Sequence, residues 1–333
     1  MEQQQYIKQF PELFAGKTIL YVHGFGSSGQ SGTVDRLRQV LPEARVVAPD
    51  LPVRPAEAIQ LLRDTCEAEQ PSLIIGTSMG GMFAEMLYGY DRILINPALQ
   101  IAETMQSHGL TGKQQFFSPR RDGVQEFYVD KPLVKEYKLM TEQNFAHAAD
   151  DGESTRVFGL FGDEDPLVDT FDLFLQHYPQ AIRFHGEHRM NDRSFMHSVL
   201  PVIRWVDDRQ QNRERPIIII GVETLKDGYD KPASSSQKAV SLLQEHYQLF
   251  FVSPVNEPAS AAVGNVLQWL EKYINVPAWG HTIFTSKRHL LLGDYLIETE
   301  HTRNSMATRL EYGSDTFKTW EDLLAYFSRL GGQ

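Results

Sequence analysis

The sequence has few of the residues and patterns that several classes of protein require. Cys66 is the only cysteine among 333 residues, which excludes an internal disulfide and any cysteine-based metal cluster. Lys and Arg number 32 against 43 Asp and Glu, and the net charge of −11 disfavours binding to nucleic acid or to an anionic membrane surface. No apolar run approaches the roughly 18 residues of a membrane-spanning helix.

Residues 1–6 also lack the basic and then apolar pattern of a secretion signal, so we expect a cytoplasmic location. The hydrophobic fraction of 41% and the charged fraction of 23% are typical of a soluble globular protein. A chain of this length is long enough for two domains. The sequence contains no internal repeat, and it does not indicate an oligomeric state.

Short apolar runs alternate with helical patterns through residues 1–206. The predicted strands are 18–22, 44–48, 72–75, 92–95, 156–161 and 181–184. The predicted helices lie near 33–41, 56–69, 79–88, 169–177 and 194–206. This alternation predicts an α/β domain with a mostly parallel sheet. Residues 97–153 interrupt it, and we expect them to form a helical lid insertion over the end of the sheet.

A second α/β domain is predicted after a polar segment. Residues 207–216 contain no aliphatic side chain and are interpreted as a linker. Beyond them, the predicted strands are 217–220, 249–252, 282–284 and 295–297, and the predicted helices are 235–246, 259–273 and 320–327. We therefore expect a first domain of residues 1–206 and a smaller one of residues 217–333.

Residues 76–80 read Gly-Thr-Ser-Met-Gly between an apolar strand and a helical pattern. A serine in such a strand–turn–helix is exposed at the carboxyl end of a sheet, and the flanking glycines allow close backbone approach. We therefore predict that Ser78 is a nucleophile. The alternative is a structural serine in a tight turn.

A serine hydroxyl needs a base, usually a histidine that is oriented by a buried carboxylate. Asp165 follows the strand 156–161 and is favoured as the carboxylate, with Asp163 as the alternative. His188 lies in a Gly-Glu-His loop after the strand 181–184 and is favoured as the base.

Two other histidines are less suited to act as the base. His185 is interpreted as the last residue of a strand. His197 lies within a predicted helix and remains a weaker candidate for the base.

Two backbone N–H groups must hold the oxyanion of the tetrahedral intermediate, and losing one such donor costs about 3 kcal/mol. We predict that Met79, directly after the serine, provides one. The glycine-rich loop 21–32 follows the first strand, where Gly24 and Gly26 would let the N–H of Phe25 point inward. No Gly-Lys-Ser/Thr follows this loop, which disfavours a nucleoside triphosphate site.

These motifs, in this order over residues 17–206, resemble the α/β-hydrolase superfamily, and in particular its small bacterial esterases. The resemblance implies hydrolysis of a carboxylic ester or thioester of a small molecule through an acyl-enzyme. Ser78 would attack, His188 would transfer the proton and Asp165 would orient the histidine. No metal or organic cofactor is implied. The insertion departs from the family pattern and leaves the substrate open.

Residues 217–330 resemble the haloacid-dehalogenase-like superfamily, especially its deoxyribonucleotidase branch. The residues that carry this resemblance are 250–253, 269–273, Lys287 and 293–298. In that family the first strand ends in Asp-x-Asp, which accepts the phosphoryl group and helps to hold Mg²⁺. Here that strand ends Gly221-Val222-Glu223. A glycine cannot accept a phosphoryl group, so the resemblance implies a catalytically inactive domain.

Ser253 and Lys287 match the family's phosphate-binding positions. Glu223 could still meet a cation together with Asp294 or Glu298, but a lone pair of carboxylates holds Mg²⁺ weakly. Two alternatives to the hydrolase therefore remain. One is a binding protein for a phosphorylated small molecule or a partner, and the other is a Mg²⁺-dependent nucleotidase.

Overall fold

The computed structural model describes residues 7–228, 231–254, 260–299 and 302–330. The chain divides into two compact units. The first comprises residues 1–181 and 186–190, and the second comprises residues 182–185 and 191–333. Each unit contains a parallel sheet with connecting helices, which confirms the predicted α/β class. No helix within the described ranges is long and apolar enough to cross a bilayer.

The strands of the first unit are β1 (Thr18–Val22), β2 (Arg45–Val47), β3 (Leu73–Thr77), β4 (Arg92–Ile95), β5 (Gly112–Gln115), β6 (Glu126–Val129) and β7 (Val157–Gly162). Its helices are α1 (Gly32–Val40), α2 (Pro55–Glu69), α3 (Met79–Glu85), α4 (Ile101–Ser107), α5 (Lys131–Thr141), α6 (Glu153–Arg156) and α7 (Phe171–Leu175). A parallel sheet has the order β2-β1-β3-β4-β7. The predicted boundaries of these five strands agree with the structure to within two residues.

The central strands are buried along almost their whole length, which explains why their sequences are mostly apolar. Leu20, Ile74 and Leu94 belong to one apolar cluster. The amphipathic helix α2 adds Ile59 and Leu62 to the same cluster. Because the strands are parallel, the residues that follow β1, β3, β4 and β7 meet at one edge of the sheet.

The insertion at 97–153 is more than the predicted set of helices. It contains α4, an antiparallel β5–β6 hairpin and α5. The hairpin was not predicted because β5 reads Gly-Lys-Gln-Gln and lacks the apolar alternation of a half-buried strand. Helix α5 begins after Asp130, whose side chain accepts a hydrogen bond from the Leu133 N–H.

The chain passes between the units in β8 (Ala181–Phe184). The strands that follow are β9 (Ile217–Gly221), β10 (Lys226–Asp227), β11 (Lys231–Pro232), β12 (Gln248–Ser253), β13 (Thr282–Phe284), β14 (Tyr295–Glu298) and β15 (Thr308–Glu311). The helices are α8 (Asp192–Ser194), α9 (Leu200–Gln210), α10 (Ser236–Leu243), α11 (Ser260–Trp269) and α12 (Trp320–Arg329). A second parallel sheet has the order β13-β12-β9-β14-β15. The predicted helix 259–273 begins one residue outside the described ranges.

The segment 207–216 is interpreted from the sequence as a linker. In the structure it begins inside α9, and ion pairs connect its own residues. The Asp208 carboxylate accepts a hydrogen bond from Arg213 at 2.7 Å. Just before it, the Trp205 ring stacks on the His281 ring at 3.9 Å. Polar residues that would be solvated in a linker therefore pair with one another here, and α9 belongs to the second unit.

Candidate active site

Ser78 lies in a strained turn between β3 and α3. Its φ of 54° and ψ of −122° form a combination that costs a non-glycine residue about 1–3 kcal/mol. Helix α3 can approach β1 closely because residue 80 is glycine, since a Cβ there would lie 2.0 Å from the Val22 carbonyl oxygen. The structure therefore contains the strand–turn–helix context that gives the Gly-x-Ser-x-Gly pattern its chemical meaning.

Three side chains predicted from separate parts of the sequence form one line of hydrogen bonds. The His188 Nε2 lies 3.0 Å from the Ser78 Oγ, and the His188 Nδ1 lies 2.7 Å from the Asp165 Oδ2. The Asp165 side chain is only 2% exposed, and that of His188 is 15% exposed. A carboxylate can only accept, so the histidine proton lies on Nδ1 and Nε2 is free to accept from the hydroxyl.

Backbone groups fix the carboxylate. The Asp165 Oδ1 accepts hydrogen bonds from the Leu167 and Val168 N–H groups at 2.8 and 3.0 Å. Asp163, the alternative carboxylate, is exposed and instead accepts from the Gly186 N–H at 3.1 Å. Within the described residues, Asp165 is therefore the aspartate that contacts the imidazole.

The two alternative histidines belong to the second unit. His185 directly follows β8, as expected from the sequence. His197 lies in the π-helical segment Phe195–Val199. Burial, with a smaller contribution from the charge of Arg193, lowers the pKa of His197.

The loop after β1, residues 23–31, contacts the serine turn and is called the oxyanion loop below. A Cβ at Gly24 would lie 3.2 Å from both the Ser78 Cβ and the Thr77 carbonyl oxygen, so only glycine fits without displacement. Within the described residues, no hydrogen bond uses the N–H of Phe25 or that of Met79. Both predicted oxyanion donors are therefore free to bind another acceptor.

His23 fixes the shape of this loop, a role that we did not predict. Its Nε2 accepts from the Leu51 N–H at 3.0 Å, so its Nδ1 carries the proton and donates to the Gly24 carbonyl oxygen at 2.9 Å. Burial lowers the pKa of His23 to about 4, and the ring is therefore neutral at physiological pH. The available signal was a histidine directly before the first glycine of the loop.

The turn of the insertion hairpin is attached to the same loop. The Phe117 N–H donates to the Gly26 carbonyl oxygen at 2.7 Å. The Asp50 carboxylate accepts from the N–H groups of Gly29 and Arg121, both at 2.7 Å. Asp50 therefore joins the loop to the insertion, and it was also missed from the sequence.

Asn96, at the end of β4, connects the two loops that carry Asp165 and His188. Its Oδ1 accepts from the Gly162 N–H at 2.7 Å, and its Nδ2 donates to the carbonyl oxygens of Glu187 and His188, both at 3.1 Å. The residue is 2% exposed and has a φ of 44°. The signal in the sequence was a polar residue directly after a buried strand and before a proline.

Asn96→Asp is expected to lower kcat for ester hydrolysis by about 100-fold with KM nearly unchanged, because it removes both donors to the histidine loop and misplaces the imidazole. Asn96→Gly, which tolerates the positive φ, should have the same effect. Asn212→Gly is the control, since Asn212 also has a positive φ, 48°. Full kcat in both Asn96 variants, measured on folded protein, would contradict this positioning role.

Residues 18–200 match the model of a family described as "Uncharacterised protein family (UPF0227)", which is more than half of the 333 residues. The chain belongs to this family.

Several solved structures resemble parts of the chain at low sequence identity. An esterase from Exiguobacterium antarcticum is 12% identical, with a TM-score of 0.35 over 60% of this chain and 99% of that one. An esterase from a Rhodococcus species is 11% identical, with a TM-score of 0.34 over 62% and 93%. A tomato methylketone synthase is 9% identical, with a TM-score of 0.38 over 63% and 100%. Scores of this size carry no argument about activity.

A curated phage protein is also similar to a stretch of the chain. It comes from Vibrio phage KVP40, is provisionally named a 5'(3')-deoxyribonucleotidase, and is 26% identical over 104 residues. The aligned part is 29% of this chain and 59% of the phage protein, so the chain spans less than two thirds of that relative. The motifs of residues 217–330 resemble the deoxyribonucleotidase branch of the haloacid-dehalogenase-like superfamily.

In the second unit, an arginine occupies the place where the resemblance would put a metal. The Arg288 guanidinium donates to both Glu223 carboxylate oxygens, at 2.7 and 2.8 Å, and to the Glu298 Oε2 at 3.3 Å. A Cβ at position 221 would lie 2.3 Å from the Glu223 carboxylate, so that carboxylate fills the space of a residue-221 side chain. Asp294 lies at the other end of β9, where it accepts from the Ile217 N–H.

These residues do not fit a Mg²⁺ site, because two fixed cations already pair with the glutamates and the third carboxylate is remote. Arg288 contacts both Glu223 and Glu298, and the Arg309 Nε donates to the Glu298 Oε1 at 2.9 Å. We expect millimolar Mg²⁺ or Mn²⁺ to leave the melting temperature unchanged. Arg288→Gln should lose about 3 kcal/mol of stability, since it leaves the fully buried Glu298 with one fewer cation, and should become sensitive to Mn²⁺. Saturable stabilisation of the unaltered protein by Mg²⁺, abolished by Glu298→Gln, would contradict this account.

Ser253 and Lys287, the predicted phosphate-binding residues, lie near one another at the carboxyl end of the second sheet. The Thr285 N–H donates to the Ser253 carbonyl oxygen at 3.0 Å. The Lys287 N–H donates to the Thr285 Oγ1 at 2.9 Å. The Lys287 side chain is exposed, and phosphate binding by this pair stays a prediction.

Proposed function

We propose that the chain is a serine hydrolase that cleaves a carboxylic ester or thioester of a small molecule through an acyl-enzyme. The observation that carries the proposal is the hydrogen-bond line from Ser78 through His188 to Asp165, beside two unused N–H groups. This combination supplies a nucleophile, a base, an orienting acid and donors for the oxyanion.

In the proposed reaction, the His188 Nε2 accepts the Ser78 hydroxyl proton as Oγ attacks the substrate carbonyl carbon. The N–H groups of Phe25 and Met79 stabilise the negative charge on the carbonyl oxygen. The imidazolium then protonates the leaving alcohol or thiol, and the C–O or C–S bond breaks. Water, deprotonated by the same Nε2, then attacks the acyl-enzyme. The imidazolium returns this proton to the Ser78 Oγ as the acyl C–O bond breaks and the acid leaves.

The aromatic residues of the insertion are suited to hold an acyl group near the oxyanion loop. The Phe127 ring lies 5.1 Å from the Phe25 ring and 4.5 Å from the Phe116 ring. The Tyr137 hydroxyl donates to the Val53 carbonyl oxygen at 2.9 Å and lies 3.3 Å from the Met79 sulfur. We propose that this side of the insertion is the acyl-binding lid, since apolar groups next to the oxyanion donors favour a bound hydrocarbon chain.

Hydrolysis of short 4-nitrophenyl esters and of the matching thioesters tests the proposal. The unaltered protein should release nitrophenolate with an initial burst equal to the enzyme concentration if deacylation is slow. His188→Ala should lose this activity, whereas His185→Ala should retain it. A folded protein without turnover on any ester or thioester, or with equal turnover after His188→Ala, would contradict the proposal.

We propose that the second unit binds a ligand and does not catalyse a reaction. Residue 221 is a glycine, where the haloacid-dehalogenase-like superfamily has the aspartate that accepts the phosphoryl group. The Arg288–Glu223 pair occupies the adjoining space, so we do not propose a nucleotidase. The proximity of Ser253 and Lys287 favours a phosphorylated ligand. Thermal stabilisation by inorganic phosphate that is lost in Lys287→Gln would support this role, and no stabilisation would count against it.

A further inference from the structure

Arg189 is an arginine of the first unit that has no anionic partner among the described residues. Other arginines of this unit form ion pairs, namely Arg45, Arg54, Arg92, Arg120 and Arg121. Arg189 is exposed, and its guanidinium makes no hydrogen bond or ion pair to any residue in the described ranges. Glu187, two positions earlier, is exposed as well and does not pair with it.

Arg189 is nevertheless held in place at the candidate site. It follows His188 in the sequence, and its guanidinium carbon lies 5.2 Å from the centre of the Phe117 ring. That ring packs on the oxyanion loop, where a Cβ at Gly26 would lie 2.7 Å from two of its atoms. The Arg189 guanidinium therefore reaches from the loop that carries His188 to a ring that packs on the loop that carries Phe25.

The aromatic contact positions the charge without neutralising it. A ring attracts a guanidinium through its quadrupole, by about 0.5–1 kcal/mol at an exposed site, and leaves the N–H donors available. Phe117 itself is 64% exposed, so one face of the pair is open to a ligand. The protein as a whole has a net charge of −11, whereas the Arg189 side chain is a cation without an ion-pair partner among the described residues.

We propose that Arg189 recognises an anionic group on the substrate, and that the substrates are therefore esters or thioesters that also carry a carboxylate or a phosphate. The inference rests on the proposed hydrolase function. A guanidinium fork can bind either anion with two parallel hydrogen bonds, and its position over Phe117 reduces the ordering cost of binding. Its role is specificity, since it does not contact the reacting atoms.

Matched ester pairs test this proposal. On the acyl side, the mono-4-nitrophenyl ester of glutaric acid is compared with 4-nitrophenyl pentanoate. On the alcohol side, the butyryl ester of glycerol 3-phosphate is compared with monobutyrylglycerol. In at least one pair, kcat/KM should be about fivefold higher for the anionic ester, and the preference should decrease as salt is added. The pair that shows the preference identifies the side on which the anion lies.

Arg189→Gln should abolish the preference and leave hydrolysis of the neutral ester unchanged, whereas Arg189→Lys should retain part of it. Arg63→Gln is the control, because Arg63 is also an exposed arginine, on α2. Hydrolysis of neutral esters without any anionic preference, or an equal preference after Arg189→Gln, would overturn this inference alone. Absence of turnover on every ester, together with no labelling of Ser78, would overturn the hydrolase function and this inference with it.

Discussion

Ser78→Ala is expected to reduce ester hydrolysis by about 10⁴-fold or more. The hydroxyl at position 78 is the only side chain of the site that would form a bond to the substrate, and removing such a nucleophile eliminates the acyl-enzyme route. The fold should survive, because the hydrogen bond of the Ser78 Oγ among the described residues is the one to His188. The backbone of the turn is held by the Ser78 N–H bond to the Ile95 carbonyl oxygen at 2.9 Å. Initial rates on a 4-nitrophenyl ester, with thermal melting of both proteins, measure this effect.

A serine on an exposed part of the first unit provides the control. Within the part of the chain that the structure describes, the Ser107 hydroxyl, in α4, bonds to its own helix and to the neighbouring His108. Ser107→Ala should therefore retain full activity. Residual activity above about 1% in Ser78→Ala, with a melting temperature equal to that of the unaltered protein, would mean that hydrolysis occurs elsewhere.

Asp165→Asn is expected to lower kcat by about 10³- to 10⁴-fold. An asparagine has nearly the same shape, but its amide can donate to the His188 Nδ1 and so favours the tautomer that cannot accept the Ser78 proton. The backbone bonds from Leu167 and Val168 would still hold the side-chain oxygen, so a small loss of stability is expected. The decisive comparison is kcat at unchanged melting temperature.

Asp163→Asn is the matched control, because Asp163 lies two residues earlier and was the alternative in the sequence. Its carboxylate binds the Gly186 N–H, and an amide oxygen can accept that hydrogen bond equally well. Activity should therefore remain within about threefold of the unaltered protein. Equal losses in both variants would contradict the assignment of Asp165.

The sequence was most informative where a strand is fully buried. Mostly apolar runs are typical of central parallel strands, and they identified β1, β3, β4 and β7 with boundaries within two residues of the structure. The glycines at positions 76 and 80 were recognisable because a Cβ at either position would collide with neighbouring backbone. Ser78 and Asp165 could be proposed because each follows such a strand, and His188 could be proposed because it lies in the loop after β8. The structure brings the three side chains into hydrogen-bond contact.

Other parts of the structure depend on contacts between distant residues, which a single sequence does not reveal. Asn96 joins two loops that begin 66 and 91 positions away. Strand β5 of the insertion hairpin is polar, and the hairpin is attached to a distant loop through the Phe117 N–H bond to the Gly26 carbonyl oxygen. The charges of 207–216 suggested a solvated linker, because the pairing of Asp208 with Arg213 is visible only in three dimensions.

The second unit illustrates the same limit for chemistry. The glycine at 221 already indicated that phosphoryl transfer is lost, whereas the contact of Arg288 with Glu223 and Glu298 could not be predicted. That arginine changes the interpretation of two acidic residues that the sequence alone made plausible cation ligands. Acidic side chains at the ends of strands predict a metal only when no internal cation reaches them.

Reaction of the native protein with a fluorophosphonate, followed by peptide mass analysis, tests the central claim most directly. The account predicts one adduct, located on Ser78, that forms at least about 100-fold more slowly after His188→Ala. Other serines, including Ser27 and Ser28 of the oxyanion loop, should remain unmodified. A folded protein that gains no adduct, or one whose adduct lies on a different residue, would contradict the account.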